Sequence, residues 1–162
     1  MKIITPTQVS RPVRFNDLWR VFCDSWRIKF AMWRTFPGKY PLASSVSHCQ
    51  ITDRDPLRFF VLGNSWHLFA QTPMKLKRSF GFPWSRTIIN PKIVSHGTKV
   101  MNDKEACMSW ENQNKRRVKR WQIVDLEFWT IWGKRTKRLY LYRAVVAQHE
   151  INHMDGLMLD DV

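Results

Sequence analysis

Near the end of this 162-residue chain, His149, Glu150 and His153 form an H-E-x-x-H pattern. On an α-helix the two histidines, four residues apart, project from one face and can bind one divalent metal ion together. Glu150 lies at the edge of that site, where its carboxylate can take a proton from an attacking water. Apolar neighbours follow the same helical register and turn both imidazoles inward, which argues against histidines on a solvated helix face. The pattern therefore predicts a buried metal site.

The elements that must position this segment are predicted to be a mixture of helices and strands. After Asn16 or Asp17, either of which can cap a helix, apolar residues recur at nearly every fourth position and predict an amphipathic helix that ends at Pro37-Gly38. These apolar residues are Leu18, Phe22, Trp26, Phe30 and Trp33. Strands are predicted at 3–4, at 57–62, at 87–89 before Asn90-Pro91, and within 118–132, with a last helix from about Leu139. We expect one α+β domain over residues 1–162.

Composition and cysteine count narrow the class of protein. Hydrophobic residues make up 44% of the chain and charged residues 25%, which excludes disordered and low-complexity classes. The longest uninterrupted apolar stretches are four residues long, so no membrane-spanning helix is expected. The first residues lack the apolar run of a signal peptide, which indicates a cytoplasmic protein. Three cysteines cannot all pair within the chain, so we expect core residues or metal ligands and no disulfide framework.

The net charge of +14, from 27 Lys plus Arg against 13 Asp plus Glu, attracts phosphate polyanions. The cations cluster modestly at 75–78, 115–120 and 134–138, without a recognised DNA- or RNA-binding motif around them. The charge leaves open both a nucleic-acid or ribosome partner and a solvated basic face.

Two segments of the sequence match longer motifs, and they are Glu105-Ala106-Cys107-Met108-Ser109 and residues 148–156, Q-H-E-I-N-H-M-D-G. The first is similar to E-G-C-L-S and the second to Q-H-E-x-D-H-x-x-G, both of which are motifs of the peptide deformylase family. Ile89-Asn90-Pro91 stands where the family has an I-N-P strand end. Together these motifs cover most of the chain from about residue 57 to 160. A third motif, G-x-G-x-A-A-x-Q, is matched weakly by residues 43–50, where only Gln50 survives.

The chain departs from these motifs at three positions that matter for a site. Ser45 replaces the second glycine of the weakly matched motif and adds a side chain where a peptide would lie. Ala106 replaces the glycine beside the cysteine. Asn152 replaces the usual aspartate between the histidines, where a neutral amide orients a partner less strongly. The catalytic set that the resemblance implies is nevertheless complete, so we interpret the chain as an active enzyme rather than an inactive relative.

The resemblance implies small antiparallel or mixed sheets around a central metal-binding helix. It implies an enzyme that removes the formyl group from N-formylmethionyl nascent peptides and releases formate. Glu150 would move the proton, and the side chain of Gln50 and the backbone N–H of Met108 would stabilise the oxyanion. One divalent ion per chain is expected, ferrous iron by resemblance, with zinc, nickel or cobalt also accepted. The metal ligands would be Cys107, His149 and His153.

Residues around this set receive roles from the same resemblance. The helical turns before His149 would line the pocket for the methionine side chain, and their alternative role is ordinary core packing. The pocket residues would be Tyr142, Val145 and Val146, and Ser45 would lie against the bound peptide. Behind the cysteine, Glu105 is expected to pair with Arg117, or with Lys119 or Arg120 if the strand register differs.

The chain ends six residues after Gly156, without the long C-terminal extension of many bacterial deformylases, and in this it resembles the truncated phage-encoded forms. We expect a monomer in the cytoplasm, the host's if the protein is phage-encoded, with no membrane partner. Ribosome docking, usually given to that extension, would then need another surface. The basic residues Lys115, Arg116, Lys119 and Arg120 could supply it, or they form a solvated face.

Two other classes of function stay open at this point. An H-E-x-x-H endopeptidase usually takes its third ligand from a His or Glu after the motif, whereas the acidic residues that follow here are Asp155, Asp160 and Asp161. A basic nucleic-acid- or ribosome-binding protein would hold its metal structurally. It would keep its stability and its RNA affinity after chelation.

Overall fold

In this computed structural model, a five-stranded antiparallel sheet lies between the two helices of the described part of the chain. The structure describes residues 4–6, 8–34, 45–62, 87–105, 107, 109, 116–130 and 132–162. The helices are α1 (Leu18–Arg34) and α2 (Tyr142–Met154), and 3₁₀ turns lie at Phe15–Asp17 and His48–Gln50. The strands are β1 (Ser45–Ser47), β2 (Phe59–Leu62), β3 (Thr87–His96), β4 (Val100–Glu105), β5 (Arg116–Trp121), β6 (Ile123–Thr130) and β7 (Gly133–Tyr140).

The larger sheet has the strand order β1-β2-β3-β6-β7, which makes β1 and β7 its edges among the described strands. Strands β4 and β5 pair antiparallel in a second, smaller sheet. This arrangement confirms the predicted α+β class with small antiparallel sheets. Within the described ranges, no helix combines the length and the apolar character needed to cross a membrane.

Alternation along the strands gives the larger sheet two apolar faces. Phe59 and Val61 of β2 point to one face, where they form a buried cluster with Val21 and Ile28 of α1. Phe60, between them, points to the other face and is 1% exposed. There it lies in a second buried cluster with residues of α2, namely Ala147, Ile151 and Met154. The sheet therefore supports α2 from one side and α1 from the other.

Helix α1 forms close to its predicted position, but the prediction of its buried face was wrong. Trp26 and Phe30, placed on that face by their spacing, are 44% and 54% exposed. The side chains that the sheet covers belong instead to Val21 and Ile28, both fully buried. Trp33, also placed on the apolar face, lies outside the described side chains.

Two polar residues on the buried face of α1 explain this difference. Asp24 and Ser25 are almost completely buried. The Asp24 carboxylate lies 3.0 Å from Nε2 of His48, and Ser25 Oγ accepts a hydrogen bond from Thr87 Oγ1 at 3.0 Å. Because these partners lie far along the chain, a count of apolar residues within the helix selects the wrong face.

His48 fastens the 3₁₀ turn after β1 to α1. Its imidazole is fully buried, and its Nδ1 accepts the Leu57 N–H at 2.9 Å, so Nε2 carries the proton and donates to Asp24. This hydrogen bond holds the pKa of the Asp24 carboxyl below its usual value. The ring also stacks on Phe59, with centroids 4.7 Å apart. The turn that carries Gln50 is therefore fixed by directional contacts as well as by burial.

Strand β3 runs past the position where it was predicted to end. Asn90 adopts φ +48°, and its side chain accepts the Val13 N–H at 2.7 Å and donates to the Val13 carbonyl at 2.9 Å. The pairing with β6 shifts register between Ile89 and Lys92. Pro91 therefore sits in a bulge, where the ladder needs no N–H, and the strand continues.

The other predicted boundaries differ at both ends of the chain. Leu139 pairs with Val124 in β7, and α2 begins only at Tyr142, after Leu141 turns the chain with φ +48°. Of the predicted first strand, Ile3 lies outside the described residues. Ile4 belongs to no strand, and its backbone N–H donates to the Gln50 carbonyl at 2.8 Å. The segment before α1 thus helps to hold the turn that bears Gln50.

Candidate metal centre

The three predicted metal ligands meet beside the first strand of the larger sheet. His149 and His153 project from the same side of α2, and their Nε2 atoms are 3.0 Å apart. Cys107, two residues beyond the end of β4, places its Sγ 3.1 Å from Nε2 of His153. The three ligand atoms all lie within 4.8 Å of one another. The spacing of the histidines on α2 and the position of Cys107 after β4 therefore bring the three ligand atoms together.

The chemistry of this donor set fits a single divalent ion. One thiolate and two imidazoles are ligands that borderline-soft metals prefer, and three protein ligands leave a position open for water or substrate. Two imidazole nitrogens on one tetrahedral ion are about 3.4 Å apart, from bonds of about 2.0–2.1 Å. The observed 3.0 Å between the histidines is close to that separation. Cys107 and His153 are almost fully buried, while the His149 side chain is 13% exposed.

Glu105 orients His149 from behind. Its Oε2 lies 2.7 Å from Nδ1 of His149, which assigns the proton to Nδ1 and leaves Nε2 facing Cys107 and His153. Burial raises the pKa of Glu105, but its hydrogen bonds with His149 and Arg120 outweigh burial and hold that pKa below its usual value. Glu105 therefore remains a carboxylate that can hold the imidazole in one tautomer.

The predicted partner of Glu105 was wrong: the cation is Arg120, which the sequence offered only as an alternative to Arg117. Arg120 donates from Nε at 2.6 Å and from Nη2 at 3.0 Å, one bond to each carboxylate oxygen. Side chains alternate along β5, so Val118 and Arg120 point inward while Arg117 and Lys119 point to solvent. The register of β5 decides the pairing.

Asn152 joins the same group of side chains through its amide. Oriented to satisfy both neighbours, it accepts from Arg120 Nη1 at 2.7 Å and donates to the Gln148 carbonyl at 3.2 Å. Gln148 in turn exchanges two hydrogen bonds with the backbone of Trp121, at 3.1 and 3.0 Å. The amide at position 152 thus still contacts the arginine, without adding a second negative charge beside it.

The pKa values of the two histidines shift in opposite directions. Burial lowers the pKa of His149, but its hydrogen bonds with Cys107 and Glu105 outweigh burial and raise that pKa above its usual value. Burial and the charge of His149 lower the pKa of His153. A bound metal ion requires both imidazole nitrogens free, so metal binding must displace a proton and weakens as pH falls.

Gln50 and Glu150, the two predicted catalytic side chains that do not bind metal, lie next to the ligands. The Gln50 amide oxygen accepts the Ser47 N–H at 2.8 Å. The Gln50 Nε2 donates to Ser109 Oγ at 2.9 Å and lies 4.0 Å from Cys107 Sγ. Glu150 is 3% exposed, and hydroxyl groups of β1 bind its carboxylate. Ser47 and Ser109 were not among the residues predicted to contact this site.

The remaining predicted site residues on α2 are buried or half-buried, and two others lie outside the described residues. Val145 and Val146 are buried on α2, and Tyr142 is half-buried in its first turn. A role for these three in binding a methionine side chain stays a prediction, as does a contact of Ser45 with a peptide. Met108 and Ala106 lie outside the described residues.

Comparison with known proteins identifies similar sequences. The family model described as polypeptide deformylase matches residues 54–162. The peptide deformylase of Streptococcus pyogenes serotype M18 is 32% identical over 83 residues, which are 49% of this chain and 41% of that protein. The chain thus spans about two fifths of the length of the curated relatives it matches.

Solved peptide deformylases share the fold. The enzyme of Plasmodium falciparum superposes with a TM-score of 0.68 at 23% identity, over 99% of this chain and 86% of that chain. Arabidopsis thaliana peptide deformylase 1B, solved with an inhibitor, gives 0.72 at 20%, over 100% and 81%. The deformylase of the Vibrio parahaemolyticus bacteriophage VP16T, solved with actinonin, gives 0.67 at 20%, over 98% and 100%. At these identities the likeness establishes the architecture.

Replacing Arg120 should destabilise the protein. We expect Arg120→Met to lower the free energy of unfolding by about 3 kcal/mol, because it removes both guanidinium hydrogen bonds from the buried Glu105 carboxylate. Arg117→Met, on the same strand but solvent-facing, is the matched control and should change it by less than about 0.5 kcal/mol. Urea unfolding of the metal-free proteins measures both. Equal losses in the two variants would contradict the pairing described above.

Replacing Cys107 should remove the metal. We expect Cys107→Ser to weaken metal binding by about a hundredfold or more, because a neutral hydroxyl is a much poorer ligand than a thiolate. Cys49→Ser, equally buried but outside the group of ligands, should retain the ion. Metal content after dialysis against a metal buffer compares them. Stoichiometric metal of wild-type affinity in Cys107→Ser would exclude Cys107 as a ligand.

Proposed function

The chain belongs to the polypeptide deformylase family, and from that premise we propose that it hydrolyses the formyl group from the N-terminus of formylmethionyl peptides. The observation that carries the proposal is the grouping of Cys107, His149 and His153 next to Glu150 and Gln50. In the reaction, water adds to the formyl carbon, the carbon–nitrogen bond breaks, and formate and a free amine leave.

The proposed division of labour follows from where each side chain lies. A divalent ion on Cys107, His149 and His153 would polarise the carbonyl and lower the pKa of water. Glu150 takes a proton from the attacking water and returns it to the departing amine. Ser47 binds the amide oxygen of Gln50, so the amide NH₂ group of Gln50 faces the metal ligands. There, one of its N–H bonds can donate to the oxyanion.

Several finer assignments extend the same proposal. Ferrous iron is the proposed native metal on the family's preference, although the affinity order alone favours zinc among these ions. The backbone N–H of Met108 is the proposed second oxyanion donor. The proposed pocket for the methionine side chain comprises Tyr142, Val145 and Val146, one to two helical turns before His149. A monomer that acts on nascent peptides in the cytoplasm, the host's if phage-encoded, completes this assignment.

A ribosome-docking surface is proposed on β5, where Arg117 and Lys119 point to solvent and Arg116, paired with Asp160, is exposed at the start of the strand. This changes the surface expected from the sequence, because Arg120 is buried against Glu105 and offers no charge to a partner. Lys115 lies outside the described residues. The proposal is supported by the net charge of +14, which favours contact with phosphates.

Replacing Glu150 tests the reaction. We expect Glu150→Gln to keep its metal and to release formate from formyl-Met-Ala-Ser about 10²- to 10⁴-fold more slowly, the usual contribution of a positioned proton-transfer group. Glu127→Gln is the control and should match the wild type. It removes a carboxylate of β6 that pairs with Lys134 of β7. Formate is measured with anaerobically purified protein, with and without chelator. No formate from the metal-loaded wild type would reject the activity, and an unchanged rate in Glu150→Gln would reject the role of that residue.

Neutralising the β5 cations tests docking. We expect the triple variant Arg116→Gln, Arg117→Gln, Lys119→Gln to hydrolyse the formyl tripeptide within about twofold of wild type, because long-range fields have little effect on a short peptide whose one charge is its C-terminal carboxylate. It should co-sediment less with ribosomes, with a flatter salt dependence. The variant Lys134→Gln, Arg135→Gln, Lys137→Gln removes the same charge from β7 and is the control. Equal ribosome binding by both variants and the wild type at low salt would leave the β5 cations as a solvated face.

A further inference from the structure

Strand β1 presents two hydroxyl groups to the Glu150 carboxylate. Ser45 and Ser47 are two residues apart, so they share one face of β1, while Val46 points to the other face and packs in the cluster with α1. Ser45 Oγ donates to Oε1 of Glu150 at 2.5 Å, and Ser47 Oγ donates to Oε2. Each carboxylate oxygen therefore has its own donor.

We propose that Ser45 and Ser47 are positioning residues that clamp Glu150 in the orientation in which it transfers the proton. The catalytic part of this inference rests on the proposed deformylase function. The clamp itself rests on the contacts. Ser45, Ser47 and Glu150 are 7%, 0% and 3% exposed, so water does not compete for these hydrogen bonds.

Ser47 ties the two catalytic side chains to one point of the backbone. Its hydroxyl binds Glu150, and its backbone N–H holds the Gln50 amide oxygen at 2.8 Å. The next residue, His48, is locked to α1 through Asp24. A shift of β1 would therefore move the proton-transfer group and the oxyanion donor together.

The clamp leaves the carboxylate able to react. An ionised carboxylate offers about four lone-pair positions, and the two hydroxyls occupy one on each oxygen. The positions that remain can accept a proton from water. Fixing the carboxylate plane reduces the motion that must be lost on reaching the transition state, which affects the rate of the chemical step rather than substrate binding.

The two serines are a feature of this chain and do not come with the family pattern. In the motif G-x-G-x-A-A-x-Q that residues 43–50 weakly match, the corresponding positions hold glycine and alanine, which have no side-chain hydrogen-bond donor. The hydroxyls thus lie where the sequence departs from the motif, and both departures point at the same carboxylate.

The first test separates rate from binding. We expect Ser45→Ala/Ser47→Ala to lower kcat by about 10- to 100-fold while KM for formyl-Met-Ala-Ser stays within about twofold and metal content is unchanged. Ser47→Thr, which keeps a hydroxyl, should recover most of the loss caused by Ser47→Ala. Ser95→Ala is the matched control, because Ser95 makes a serine–carboxylate hydrogen bond with Asp125 far from the site. A wild-type kcat in the double variant would overturn the proposal.

The second test needs no activity. A double-mutant cycle between Ser47→Ala and Glu150→Met, read from urea unfolding of the metal-free protein, should show about a tenfold coupling in the unfolding equilibrium constant. Additive effects would overturn the clamp whether or not the enzyme is active. If the wild type releases no formate but the cycle shows coupling, the proposed function fails and the hydrogen-bonded clamp stands. Coupling together with an unchanged kcat would reduce the serines to structural residues and overturn their positioning role.

Discussion

The packing of α2 against the larger sheet is the interaction on which the whole site depends. Ala147, Ile151 and Met154 recur at helical spacing and lie in the cluster between the helix and the sheet. Burying an aliphatic side chain of this size stabilises the fold by roughly 1.5–3 kcal/mol. Because these three residues fix the rotation of α2, they also fix the direction of His149 and His153. A small rotation of the helix would move both imidazoles away from Cys107.

Electrostatic balance is the second requirement of the site. The centre gathers a thiol, two imidazoles and two carboxylates in a space where water has little access, and such groups are costly to bury without partners. Arg120 compensates Glu105, which in turn holds His149. On the other side, β1 supplies neutral donors to Glu150. The two carboxylates are thus compensated differently, Glu105 by a cation and Glu150 by hydroxyl groups.

The parts of the site that could be predicted are those that local spacing determines. Two histidines four residues apart must share a face of a helix, and the motif around Cys107 added the third ligand through a resemblance. Ser45 and Ser47 could not be assigned to Glu150 in this way, because they lie 105 and 103 residues before it in the chain. The choice between Arg117 and Arg120 depends on strand register, and the buried face of α1 depends on distant partners of Asp24 and Ser25.

Strand β7 has a consequence for how the protein behaves at high concentration. Among the described strands it is an edge of the larger sheet, and an edge strand offers backbone N–H and C=O groups that a strand from another molecule can use to extend the sheet. The side chains of Lys134, Arg135 and Lys137 are exposed along this edge. A second copy pairing there would bring like charges opposite each other, which destabilises cross-strand pairs. The basic strand therefore protects the larger sheet from edge-to-edge aggregation.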